Sequence, residues 1–235
     1  MSSDLGKPHK HVSAGQERTI IVWDLPTRLF HWVLVLLLVV MYATAELGNM
    51  DLHMKAGYAV LALVLFRLAW GFVGSTQSRF AAFLAGPTRA LAYLRGLLGG
   101  RPVFTIGHNP IGGWMVIAML LMVLAQAGTG LFTSDDVLTE GPLYASVSGS
   151  TGALLSMLHR NGFDVLLALV ILHVAAALFY RFVKKDDLIT PMVTGRKHLP
   201  PGHGGAAHKS ASPLLALVLL AAAALIVWAI VVLGA

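Results

Sequence analysis

The sequence predicts an all-α integral membrane protein, a four-helix transmembrane bundle with a fifth transmembrane helix appended. Three observations carry that prediction. Of 235 residues, 57% are hydrophobic and 12% charged, and the mean hydropathy is positive, a balance foreign to a water-soluble globule. Five stretches are long and apolar enough to cross about 30 Å of hydrocarbon as helices: Pro26–Leu47, His53–Val73, Ile111–Phe132, Leu155–Phe182 and Pro213–Leu233. Lys and Arg alternate in the connections, fourteen on one side and only Lys55 and Arg160 on the other. By the positive-inside rule this places the N-terminus and the even loops in the cytoplasm.

The elements follow in order. Residues 1–21 form a polar cytoplasmic tail with no cleavable apolar segment, so the first span acts as its own insertion signal. That span opens with "WDLPTRLFHW", in which Asp24 is placed to cap the helix and Pro26 fits its first turn. The short "ELGNMD" connection forces spans one and two to pack antiparallel. "GPTRALAYLRGLLGGRPVF" interleaves leucines with Arg89 and Arg95 and reads as a short helix on the inner membrane surface. The outer loop after span three is mildly acidic through Asp135, Asp136 and Glu140. Residues 22–190 make the core, 191–212 a Pro/Gly/His-rich cytoplasmic linker, and 213–235 a fifth helix with no ionisable side chain, suited to anchoring or lateral contact.

Exclusions are equally informative. The net charge of +6 belongs to topology-setting loops and does not point to nucleic acid. Cysteine is absent, which removes disulfides, thiolate-held iron–sulfur clusters and covalently attached haem.

Histidine is where the chemistry lies, because an ionisable side chain inside lipid is costly and calls for a partner. Five of the ten His (His9, His11, His198, His203 and His208) sit in polar segments and are set aside. His31 lies about one turn into span one, His53 opens span two, and His159 and His173 stand fourteen residues apart on span four. Fourteen residues are nearly four whole turns and about 21 Å of helix, so both imidazoles face one way at different depths. Depth then pairs His31 with His173 near the inner face and His53 with His159 near the outer face. Imidazole pairs without thiolates, and with Asp164 the one carboxylate nearby, match the two axial positions of a haem iron better than a tetrahedral metal site.

The ordered set "RLFHW", "HMKAGYAVLALVLFRLAWG", "GHNPIGGW" and "LHRNGFDVLLALVILHVAAALFY" resembles the bacterial cytochrome b561 group and the related cytochrome b subunits of nickel–iron hydrogenases, over about Val22 to Lys197. The resemblance implies two b-type haems in tandem, held by His31 and His173 on the cytoplasmic side and by His53 and His159 on the periplasmic side. It further implies electron transfer between the quinone pool and a periplasmic partner, either a c-type cytochrome or a redox enzyme. Some members take electrons from superoxide to quinone. The fifth helix and the Gly/His-rich linker depart from the shortest members.

Other side chains have expected roles around those ligands. Arg28 and Arg67 on the inner side, and Lys55 and Arg160 on the outer side, are the cations available to haem propionates. Trp32, Phe66, Trp70, Trp114 and Tyr58 are placed to pack on porphyrin or to anchor at the interface, and Gly57, Gly128 and Gly130 to admit a close neighbour. His108, Arg28 and the inner loop are candidates for a quinone site. A competing reading, a cation or metal transporter, requires carboxylates beside the intramembrane His, and the spans lack them.

Overall fold

The computed structural model describes residues 18–99, 105–135, 139–199 and 209–234. Lys7, His9, Lys10, His11, Arg101, Asp136, His203, His208 and most of the tail and linker lie outside the described residues. Five helices are long and apolar enough to cross a membrane: α1 (Leu25–Glu46), α2 (Met50–Val73), α5 (Pro110–Gly130), α6 (Gly149–Phe182) and α8 (Pro213–Gly234). Shorter pieces fill the connections: α3 (Phe80–Phe83), α4 (Pro87–Leu98) and α7 (Ile189–Thr194). Strands β1 (Arg18–Ile21) and β2 (Arg196–Leu199) complete the fold.

Capping chemistry sets the helix starts. The Asp24 carboxylate accepts from Thr27 N at 2.9 Å, and Pro26 lies in the first turn of α1, where its missing N–H has no intrahelical partner to lose. Asn49 caps α2 by accepting from Leu52 N at 3.2 Å, after a turn that Gly48 closes at φ 69°, a left-handed conformation that favours glycine. Ser148 caps α6, which therefore begins six residues before the apolar run at Leu155. The early residues of α6, "GSTGAL", carry no lipid signal, and only the cap marks the start. At 34 residues α6 is about 51 Å long, well beyond the hydrocarbon thickness.

The bundle is two helical hairpins, α1 with α2 and α5 with α6, joined where α2 packs on α5. Across the remaining side, α1 and α6 meet through rings: Tyr42 stacks on Phe163 at 5.6 Å, and His31 faces His173. The fifth helix lies along α2, burying Ala216, Ala223 and Val227 against it, so α2 is flanked by three helices, α1, α5 and α8. Small residues at that contact let the two backbones approach closely.

The second finding beyond the sequence reading is a clasp at one end. β1 and β2 pair antiparallel, Arg18 with Leu199 through Ile21 with Arg196, in a segment that composition marks as tail and linker. Gly195, at φ 81°, turns α7 into β2, and its carbonyl accepts from Val22 N at 2.8 Å and Trp23 N at 3.2 Å. His198, set aside on sequence grounds, has its ring Nδ1 3.0 Å from Thr19 Oγ1 within the clasp. Lys197 is 7% exposed, bonded to Thr105 O at 3.1 Å and paired with Asp186 at 2.8 Å. The clasp joins the start of α1 to the chain leaving α6, and we refer to this end of the bundle as the clasp end and to the other as the far end.

Beneath the clasp lies an aromatic core of Phe30, Phe66, Trp70, Phe80 and Phe83, with Phe66 stacked on Trp70 at 5.9 Å. A Cβ at Gly71 would collide with the Phe80 ring. Gly71→Ala is therefore expected to destabilise the fold by about 1–3 kcal/mol through overpacking, read as a lower unfolding temperature in detergent.

Candidate functional site

Four imidazoles project between the helices at two levels. His31 comes from the second turn of α1, His53 from the first turn of α2, and His159 and His173 from α6. Because α6 runs unbroken, its two imidazoles keep one face and stand about 21 Å apart along the axis. The structure brings His31 and His173 together at the clasp end with ring centres 6.3 Å apart and planes at 55°. It brings His53 and His159 together at the far end, also 6.3 Å apart, with planes at 88°.

The two pairs differ in how their other nitrogens are satisfied. At the far end, His53 Nδ1 donates to Met41 O at 3.0 Å and His159 Nδ1 to Gln126 O at 2.9 Å. A carbonyl only accepts, so both rings are fixed as Nδ1–H tautomers with the Nε2 lone pair free. Gln126 also reaches back, its Nε2 donating to His159 O at 2.6 Å. Gly130 lets the ring in, since a Cβ there would stand 3.0 Å from His159 Cε1. Of the other glycines expected to admit a neighbour, Gly57 would make ordinary contact with Met41, and Gly128 faces open space. At the clasp end, His31 Nδ1 is buried and has no hydrogen-bond partner.

Three more buried nitrogens share that unpartnered state: Arg67 Nη1, Arg28 Nε and His108 Nδ1. Arg67 does not snorkel; it is 3% exposed, its guanidinium 5.2 Å from the centre of the Phe80 ring. Arg28 spends Nη1 on Val193 O, next to the clasp. At the far end, Lys55 is held at the surface by Asp51 at 2.7 Å, and Arg160 is exposed. Buried cationic donors are thus concentrated at the clasp end.

His108 lies deeper than its place before α5 implies. Its ring packs between Trp23 at 4.6 Å and Phe83 at 4.7 Å. Burial, reinforced by the neighbouring Arg67, His173 and His31, pushes its imidazole down to about 3, so the ring is neutral at physiological pH. Asp24, 8% exposed, does more than cap α1: it accepts from Trp70 Nε1 and Ser78 Oγ, both at 3.1 Å. Burial alone would raise this carboxyl, but hydrogen bonds from Ser75, Thr27 and Ser78 outweigh it and hold the group below its ordinary value.

The aromatic residues divide by place. Phe66 and Trp70 are buried beside Arg67, whereas Trp32 and Trp114 are exposed and donate to Met192 O and Ala85 O as interfacial anchors. Tyr58 packs partly buried against Leu61 and its neighbours. Among the described residues, no three His, Cys, Asp or Glu gather where they could hold a metal ion together. Sequence reasoning missed Gln126, a polar side chain inside a span and therefore detectable, and missed Thr44 and Thr129, which look like ordinary small helix residues.

A bundle of apolar helices that carries imidazoles at two depths, with no thiolate and, among the described residues, no carboxylate cluster, fits the class of membrane cytochromes. The chain matches the family model of prokaryotic cytochrome b561 over residues 22–195 and belongs to that family. It is therefore a multi-pass, electron-transferring membrane cytochrome of the b type, which carries haem b. Relatives include the "Probable Ni/Fe-hydrogenase 1 B-type cytochrome subunit" of Escherichia coli strain K12, 27% identical over 215 residues, covering 75% of this chain and 90% of the relative. The "Probable Ni/Fe-hydrogenase B-type cytochrome subunit" of Azotobacter vinelandii is 28% identical over 224 residues, covering 77% and 91%. No solved structure matches the chain.

Asp24→Ala removes a cap and strands two buried donors, with an expected cost of about 2–4 kcal/mol. Since the folded carboxyl is held low, the wild-type advantage is complete above the ordinary value of 3.8 and fades as pH falls through the lowered one. Unfolding of both proteins in detergent across an acid series checks this by their convergence at low pH.

Proposed function

We propose that this chain is a dihaem subunit that carries electrons between the quinone pool and a periplasmic redox partner, a Ni/Fe-hydrogenase-type enzyme or a c-type cytochrome. In this reading His31 and His173 hold one haem b, and His53 and His159 the other. The observation that carries it is the equal ring separation of 6.3 Å in both pairs. An imidazole nitrogen binds a first-row metal ion at about 2 Å and stands roughly 1.2 Å from its ring centre. Two imidazoles that held one ion between them would have centres about 6.4 Å apart, close to the separation of both pairs.

The surroundings support the same reading. Free Nε2 lone pairs at the far pair are the donors an iron needs, and the carbonyls behind them orient the rings. Haem b supplies one-electron exchange between ferric and ferrous iron. The protein supplies apolar walls, ligand orientation, and cations for the propionates: Arg67 and Arg28 at the clasp end, with Lys55 and Arg160 at the far surface as weaker candidates. The Lys and Arg distribution supports a reading with the clasp end at the cytoplasmic side of the bacterial inner membrane and the far end at the periplasmic side. Quinone is placed at the clasp end, where His108, neutral and with an orphaned nitrogen, and Arg28 stand near the His31 level. The relatives' names support an enzyme partner, which this reading seats at the far end. A transporter reading lacks the donor cluster it requires among the described residues.

A redox-titrated spectrum with haem-to-protein stoichiometry tests this, with two reducible haems expected per chain. His173→Ala is expected to abolish the clasp-end haem and retain most of the far one, and His159→Ala to do the converse. One haem per chain, or loss of the same haem in both variants, rejects the assignment.

A further inference from the structure

The far pair is backed by the same device twice, on helices unrelated in sequence. Thr44 Oγ1 donates within α1 to Val40 O at 2.8 Å and Met41 O at 3.1 Å. Thr129 Oγ1 donates within α5 to Ala125 O at 2.7 Å and Gln126 O at 3.1 Å. In each case the second of those carbonyls, three residues before the Thr, is the one that receives the imidazole N–H of the neighbouring helix. A threonine bonded back to its own helix bends it and tilts these carbonyls outward. Its hydrogen being spent, the hydroxyl turns lone pairs toward the ring: Thr44 Oγ1 lies 3.5 Å from His53 Nδ1, and Thr129 Oγ1 3.4 Å from His159 Nδ1. Each far-end N–H therefore faces two oxygens that can only accept it.

The clasp-end pair has the opposite setting. His31 Nδ1 is buried with no hydrogen-bond partner, and unpaired donors of Arg67 and Arg28 are buried at the same end of the bundle. An imidazole that donates its second N–H becomes a more basic ligand and favours the oxidised metal. Buried cations favour the reduced one.

We propose that Thr44 and Thr129 are positioning residues that hold the far-end iron at a lower reduction potential than the clasp-end iron. This rests on the axial assignment proposed above. An electron shared by the two levels then resides preferentially at the clasp end.

The test uses the full chain with both haems bound, replacing Thr44→Val and Thr129→Val singly and together. Valine keeps the shape of threonine and removes its oxygen. Redox titration followed in the haem absorption bands is expected to show the far-end potential rising in each variant. The double variant should shift the ferrous-to-ferric ratio at fixed potential about tenfold, which is about 59 mV for one electron. The clasp-end potential should stay in place, and Thr→Ser should restore the wild-type value. His159→Ala identifies which potential belongs to the far end. Two haems with the expected His losses, but a far-end potential unmoved by valine or not restored by serine, overturn the role of the threonines and leave the axial assignment standing. Loss of the assignment itself is recognised separately by the stoichiometry and by the His variants. If a valine variant loses its haem, the wild-type order of potentials decides, and a far-end potential at or above the clasp-end value overturns the inference.

Discussion

Every polar group that enters the space between these helices has to be answered from within the protein, because hydrocarbon answers none. That constraint organises the molecule. At the far end it is met by backbone: the imidazoles of His53 and His159 give their spare hydrogens to carbonyls of the adjacent helices. At the clasp end it is met for Asp24, whose two oxygens serve a backbone amide, an indole and a hydroxyl. It is left unmet for His31, Arg28, Arg67 and His108. Four unpartnered buried nitrogens in one place are a departure from the usual pairing of buried polar groups, and the two guanidiniums among them can be answered only by acceptors.

The clasp gives those donors a fixed frame. α1 and α6, which bear the facing His31 and His173, are tied at the strand ends where β1 meets β2. Arg28 reaches Val193 across the same junction, and Lys197 binds the chain that leads into α5. Residues with the composition of a tail and a linker thus set the spacing of side chains a full turn or more into the membrane.

Much of this was legible in the sequence, for reasons specific to membranes. Long apolar runs expose helices directly, and the fourteen-residue interval between His159 and His173 fixes a shared face on an unbroken helix. Asp24 as a cap and Pro26 in the first turn were readable because capping is local. The clasp was not, since pairing of Arg18–Ile21 with Arg196–Leu199 spans nearly the whole chain and neither strand has a strong pattern. The depth of Arg67 and His108 was hidden for a related reason: only packing against Phe80 takes Arg67 into the core, and only Trp23 and Phe83 hold the His108 ring between them. The carbonyls behind the far pair leave no trace in side-chain identity, as every residue carries one.

The position of β2 along the chain also has a temporal meaning. His31 enters the bilayer with α1, but the strand that locks its end of the bundle follows α1, α2, α5 and α6 in the chain. Until then its counterpart on α6 has no fixed distance from it. The clasp-end level is therefore closed only once β2 is present, and a chain halted between His173 and Leu199 would hold all four imidazoles yet lack the closure that sets the first of them against its mate.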